Sequence, residues 1–195
     1  MSYINILENI SLITGLIYVV LATKEKYFAW IFGVISSLVV LYIYLLQDVY
    51  LQALLNCYYV VIGIYGYFTW KKRDSDQSYF VKITEYKIKT HALMVLLFVT
   101  TGLILFYIMN YYFKSNFAFL DSMIFTSSII ATFMQTKKIL SNWLYWIIIN
   151  GLSIILTINL ELYYLALLMF IFLVVAIFGY ISWRKEYLGY KKNNV

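Results

Sequence analysis

A chain of 195 residues that is 64% hydrophobic and 12% charged, with mean hydropathy +0.81, carries more apolar surface than a water-soluble core of that size can bury. Most of that surface must face lipid, so the chain reads as an all-α integral membrane protein. The net charge of +6 is then the usual surplus of Lys and Arg in cytoplasmic loops, and a nucleic-acid partner is not expected.

About 20 residues are needed to cross a hydrocarbon core of roughly 30 Å. At that length the sequence divides into seven spans, at 4–22, 27–46, 49–69, 91–110, 117–135, 140–159 and 162–182. The first follows Met1-Ser2-Tyr3, which lacks the basic region of a signal peptide, and no A-x-A site comes after it, so this span is expected to stay. Lys24-Glu25-Lys26 separates spans one and two, and Asp48 marks a tight break before span three. Span three carries the lone Cys57, read as a small packing residue, and runs into the basic Lys71-Lys72-Arg73. A polar stretch at 71–90 leads to span four, with His91 at its membrane edge as an interfacial residue. Lys114, Lys137-Lys138 and Glu161 punctuate the rest.

With seven spans, Lys114 alone of the 15 Lys and Arg falls on one face and all the others fall on the opposite one. The positive-inside rule then puts the N-terminus outside and the C-terminus in the cytoplasm. Trp70 and Trp183 lie at the cytoplasmic ends of spans three and seven, where an aromatic belt is expected.

The chain repeats itself after 113 residues without a gap. Trp30 falls on Trp143, Ile35 on Ile148, Tyr50 on Tyr163, and Ala53-Leu54-Leu55 on Ala166-Leu167-Leu168. Val61 falls on Val174, Ile64 on Ile177, Gly66-Tyr67 on Gly179-Tyr180, Trp70 on Trp183 and Lys72 on Lys185; Thr23-Lys24 precede the block as Thr136-Lys137 do its copy. Spans one to three thus correspond to five to seven, with span four as a connecting helix. An even number of crossings separates the copies, so the two three-helix repeats are parallel, related by an axis along the membrane normal. The expected organisation is a first repeat at 1–70, a cytoplasmic linker and connecting helix at 71–116, a second repeat at 117–185 and a cytoplasmic tail at 186–195. The paired Gly66 and Gly179 suit close helix packing.

Transporters hold substrate between such halves, and a symmetric scaffold must break its symmetry where it binds an asymmetric molecule. Span six does so at Trp143, Trp146 and Asn150, whose mates are Trp30, Gly33 and Ser37. Spacing of 0, 3 and 7 places the three on one helix face. In span three, Asn56 lies over Met169, with Gln52 one turn away. No span holds the paired ionisable residues of an ion relay. The chain has no G-x-x-x-x-G-K-[ST] loop, no G-x-S-x-G and no H-E-x-x-H, so neither an ATP-driven pump nor an enzyme is expected, and no cofactor or metal. A retinal-binding receptor needs a Lys in span seven, and there is none. Glu8 and Asp121, in the outer parts of spans one and five, are gate or interfacial residues.

Asn142-Trp143-Leu144-Tyr145-Trp146-Ile147-Ile148-Ile149-Asn150 resembles the W-x-x-W-x-x-x-N motif of the PnuC vitamin transporters. The resemblance extends to Ala29–Ser37 in span two, Tyr59–Tyr67 in span three and Phe178–Lys185 at the end of span seven. It implies seven helices in a 3+1+3 arrangement related to the SWEET proteins. The implied activity is facilitated diffusion of an unphosphorylated vitamin, commonly nicotinamide riboside, which a cytoplasmic kinase then traps by phosphorylation. Similar members carry thiamine or riboflavin. Carried over by position, Trp143 and Trp146 would flank the substrate ring and Asn150 would bond its polar groups, with Asn56, Gln52 and Tyr59 completing the site. Two departures stand out: Ile31 where the family often has Pro, and Asn56 where nicotinamide riboside members often have Gln. A homotrimer in a bacterial inner membrane is also implied by the resemblance.

Overall fold

A computed structural model of the chain describes residues 3–46, 50–75, 83–113, 117–159 and 163–192. They form seven helices: α1 (Tyr3–Thr23), α2 (Ala29–Leu46), α3 (Tyr50–Ser75), α4 (Ile88–Phe113), α5 (Ala118–Thr136), α6 (Asn142–Asn159) and α7 (Tyr163–Lys192). All seven are long and apolar enough to cross a membrane. The expected breaks at Asp48 and Glu161 lie outside the described residues. Helices α3 and α7 run past the spans expected from the sequence, which end at 69 and 182, through Lys71-Lys72 and Arg184-Lys185. An apolar window marks the hydrocarbon, whereas a helix ends only where its backbone finds a better arrangement. Lys, Arg and Glu are good helix formers, and the chain has no proline to stop them.

Helix α1 packs on α2 and α7, α2 on α3, α3 on α5, α5 on α6, and α6 on α7. Six helices therefore close a ring, and α4 stands outside it against α5. Lipid-facing α4 is almost wholly uncovered, whereas α5 has the largest buried share of any span and the lowest hydropathy, 1.2. Its Ser122, Thr126, Ser127, Ser128, Thr132, Gln135 and Thr136 are all buried. A polar helix is tolerable at this depth because its neighbours exclude lipid and its hydroxyls bond backward to carbonyls one turn away, as Thr126 does to Ser122 and Thr132 to Ser128.

The ends of α1 and α5 are built alike. The amide of Lys26 donates to Leu21 and that of Glu25 to Ala22; at an offset of 113, Ile139 donates to Met134 and Lys138 to Gln135. These are Schellman caps, and their left-handed residues are Glu25 (φ 56°) and Lys138 (φ 53°) instead of the usual glycine. A side chain in that conformation costs roughly 1–2 kcal/mol. The side chains retained at that cost pair with each other: Lys138 Nζ lies 2.6 Å from Glu25 Oε2. Burial, with a hydrogen bond to Glu186, pushes the Glu25 carboxyl up to about 7, against the lowering pull of Lys138.

Beneath this pair lies a tryptophan cluster. Trp30 meets Trp70 edge to face at 5.3 Å and 86°, Trp143 meets Trp183 at 5.3 Å and 88°, and Trp70 approaches Trp183 at 6.2 Å. Trp70 Nε1 donates to the Thr136 carbonyl at 3.1 Å, and Trp183 Nε1 to the Thr23 carbonyl at 3.2 Å. Each tryptophan thus holds the helix end of the other half. The aromatic-belt reading of Trp70 and Trp183 is corrected here: they are 2% and 0% exposed, facing inward. Distance from the end of an apolar window gives depth, but not which side of the helix faces lipid. Gly66 and Gly179 make the cluster possible, because a Cβ there would stand 2.5 Å from the Trp30 ring and 2.7 Å from the Trp143 ring.

Ile83, in the stretch before α4, is buried against the same cluster. The backbone around it is pinned to the α5–α6 turn by Thr84 N–H to Lys138 and by Leu140 N–H to Thr84. His91 is more than interfacial. Its Nε2 lies 3.1 Å from Glu85, which also accepts from Ser141, and its Nδ1 lies 3.2 Å from the Tyr145 hydroxyl. Cys57 is exposed rather than packed.

Candidate functional site

The expected site residues occupy one face of α3 and one face of α6. On α3, Gln52, Asn56 and Tyr59 follow at intervals of four and three, running from the helix start towards mid-span. Gln52 Nε2 donates to Asp121 Oδ1 at the start of α5, which makes Asp121 a contact between halves and not merely interfacial. Asn56 is buried and donates to the Gln52 carbonyl at 2.8 Å. Glu8, the repeat mate of Asp121, is exposed.

On α6, the three motif residues part company. Trp143 is 1% exposed and sealed between Gly179 and Trp183. This departs from the expectation that it flanks a ligand, because the ring is almost wholly enclosed by its neighbours. Trp146, one turn deeper, is half-buried, and its Nε1 donates to Gln135 Oε1 at 3.2 Å. Asn150 is buried near mid-span, yet its carboxamide makes no hydrogen bond among the described residues and is not among the fully occluded atoms. A buried amide normally finds partners, so this one is available to a ligand.

Gln135 is the junction of the site. The same Oε1 also accepts from the Tyr18 hydroxyl of α1 at 3.2 Å. Tyr18 in turn lies near the Tyr59 phenol, which has Ser128 of α5 beside it. A polar layer therefore runs from Trp146 through Gln135, Tyr18 and Tyr59 to Ser128, joining α6, α5, α1 and α3. It lies immediately above the tryptophan cluster, with Gln52, Asn56 and Asp121 towards the other end of the ring.

The layer is not symmetric. In the first half Tyr18 projects over Gly33, where a Cβ would meet its ring at 2.9 Å. In the second half the mate of Tyr18 is Ala131, and Trp146, the mate of Gly33, packs against the cluster of Ile124, Ala131 and Ile149. The large aromatic comes from the first helix in one half and from the second helix in the other. Tyr18, Ser128 and Gln135 were not among the expected residues. Their signal was available: Gln135 stands over Ala22, and span five is rich in Ser and Thr for a membrane helix.

The arrangement offers an aromatic face, an amide and several hydroxyls between the halves of a membrane ring. It suits a small, flat, polar molecule.

The model of the family described as nicotinamide mononucleotide transporter matches residues 5–185. The nicotinamide riboside transporter PnuC of Escherichia coli (strain K12) is 25% identical over 201 residues, covering 91% of this chain and 84% of that protein. Its namesake from Neisseria mucosa is 26% identical over 190 residues, covering 92% and 72%. Among solved structures, the crystal structure of the vitamin B3 transporter PnuC has the same fold, with a TM-score of 0.76 at 24% identity over 93% of this chain and 81% of that one. With a family model spanning nearly its whole length and seven membrane helices in that fold, the chain belongs to the nicotinamide mononucleotide transporter family of multi-pass membrane proteins.

Proposed function

We propose that this protein admits nicotinamide riboside through a bacterial inner membrane by facilitated diffusion, with trapping by a cytoplasmic kinase. The observation that carries the reading is Trp146, a half-buried indole held by Gln135 in a polar layer between the halves. The pyridinium ring of nicotinamide riboside is flat and cationic, and an indole face attracts such a ring by about 0.5–2 kcal/mol. Asn150 is the amide that bonds the polar groups of the substrate, with Asn56, Gln52 and Tyr59 along the facing helix. Trp143 contributes by holding α6 against α7.

The family description names the mononucleotide, whereas the relatives' names give the riboside. The chain itself favours the riboside. From Trp30 to Leu46 and from Leu120 to Met134, as through the middle of every other span, it has no Lys or Arg to neutralise a phosphate. The thin supply of charge also suits a carrier that draws on no ion gradient. In this reading the units are 1–70 and 117–185, joined through 71–116 and followed by a tail at 186–195, with the N-terminus outside. Access changes by rocking one three-helix unit against the other.

The test is calorimetric titration of the purified protein with nicotinamide riboside and, separately, thiamine. Micromolar or tighter binding of the riboside alone is expected. Heat from thiamine alone would refute the substrate assignment and direct attention to Asn56.

A further inference from the structure

Gln135 is 1% exposed, and its carbonyl oxygen already has two donors, from Tyr18 on α1 and Trp146 on α6. The indole fixes the orientation of the amide, because Nε1–H can only donate and must meet the oxygen. The NH2 group therefore points away from both. Among the described residues it donates to nothing, and it is not one of the fully occluded unpartnered atoms. A glutamine kept only to satisfy Tyr18 and Trp146 would need its oxygen alone; a buried NH2 left unpaired costs free energy unless something accepts from it.

The position of that donor is informative. The Nε1–H bond runs in the plane of the Trp146 indole, so the Gln135 amide sits at the edge of the ring. An aromatic ligand stacked on Trp146 presents its ring substituents to that edge. The repeat mate of Gln135 is Ala22, so only one half of the protein supplies such a donor, and a ligand entering the ring of helices meets it in one orientation.

Resting on the substrate reading above, we propose that Gln135 is a specificity-determining residue whose NH2 donates to an exocyclic carbonyl on the aromatic ring stacked against Trp146. The carboxamide of a nicotinamide ring supplies such an acceptor.

The test compares nicotinamide riboside with N-ribosylpyridinium, which keeps the sugar and the cationic ring but lacks the carboxamide. Both are titrated calorimetrically into the wild-type protein, Gln135→Met and Gln135→Leu. Both variants lose the NH2 and add neither a charge nor an O–H donor. The wild type is expected to prefer the riboside by about tenfold, in keeping with one lost hydrogen bond. Both variants are expected to bind the two ligands nearly equally. A preference that survives in both variants would overturn the proposal, as would equal weakening of both ligands with the wild-type ratio intact. Equal binding of the two ligands by the wild type overturns this inference alone. Heat from neither ligand in the wild type overturns the substrate reading and this inference with it.

Discussion

The tightest packing lies where a glycine faces a tryptophan ring, and Gly179→Ala measures how rigid that contact is. A Cβ at 179 would stand 2.7–2.8 Å from Cδ2, Cε2 and Cε3 of Trp143, well inside the 3.5–4.0 Å optimum for carbon pairs. The ring cannot swing aside, because it is 1% exposed and meets Trp183 edge to face. Inserting a methyl into such a place costs about 1–3 kcal/mol. Alanine also gains about 0.8–1 kcal/mol of helix propensity over glycine, which would mask part of the effect. Gly151 supplies the correction: it too is helical, and its nearest neighbour to an added Cβ is Leu173 at 4.0 Å. Propensity cancels in the difference between Gly179→Ala and Gly151→Ala, leaving the overpacking cost. At about 2–4 °C per kcal/mol for a protein of this size, the first variant is expected to unfold roughly 2–12 °C below the second. Thermal unfolding of the detergent-purified proteins, followed by size-exclusion recovery after heating, gives the comparison. Equal midpoints would mean that the rings yield freely and that the cluster is not a rigid brace. Gly66→Ala, with Trp30 ring atoms at 2.5 Å, is expected to behave like Gly179→Ala.

Trp146→Ala and Asn150→Ala are expected to abolish riboside binding while the proteins still insert and purify; normal titrations in both would move the site elsewhere. Trp183→Ala removes a fully buried ring and a bond to Thr23, so it is expected to cost about 3–5 kcal/mol, and a variant as heat-stable as wild type would contradict the brace. The Glu25 carboxyl is raised in the folded state, so its contribution is full below its ordinary value near 4.5 and is lost as pH climbs through about 7. Thermal midpoints are therefore expected to fall across that window in wild type, and to fall less in Glu25→Gln; parallel curves would assign the pH dependence to other groups. Because Glu25 and Lys138 occupy matching positions, Glu25→Lys and Lys138→Glu are each expected to destabilise, and the double exchange to recover most of the loss. An exchange no better than the single variants would show that the pair does not act as a unit.

Seven helices were legible because hydropathy reports the one thing a bilayer demands, a run of about 20 apolar residues for each crossing. Gly66 and Gly179 are legible as packing positions because a glycine recurring at the same place in both copies of a membrane helix suits close approach, and a Cβ at either would strike a tryptophan ring. Trp70 and Trp183 were misplaced because facing depends on neighbours that a single helix does not name. Gln135 was missed for a narrower reason. The identities between the copies start only at Thr23, where α1 ends, so Ala22 against Gln135 and Tyr18 against Ala131 lie outside the block that reveals the repeat. The left-handed cap at Glu25 and Lys138 had no glycine to announce it.

The two indole bonds are reciprocal: residue 70 reaches carbonyl 136 while residue 183 reaches carbonyl 23. That is the bonding pattern of an isologous dimer interface, in which one patch pairs with its own copy. Either half cut free would leave an indole N–H and a helix-end carbonyl without the group that answers them. It would also place a second Glu25, or a second Lys138, where its opposite charge now stands. A first half alone could associate with its twin through the same tryptophans, but only by setting two carboxylates face to face. The differing charges at 25 and 138 therefore favour the pairing seen here over self-pairing of either side.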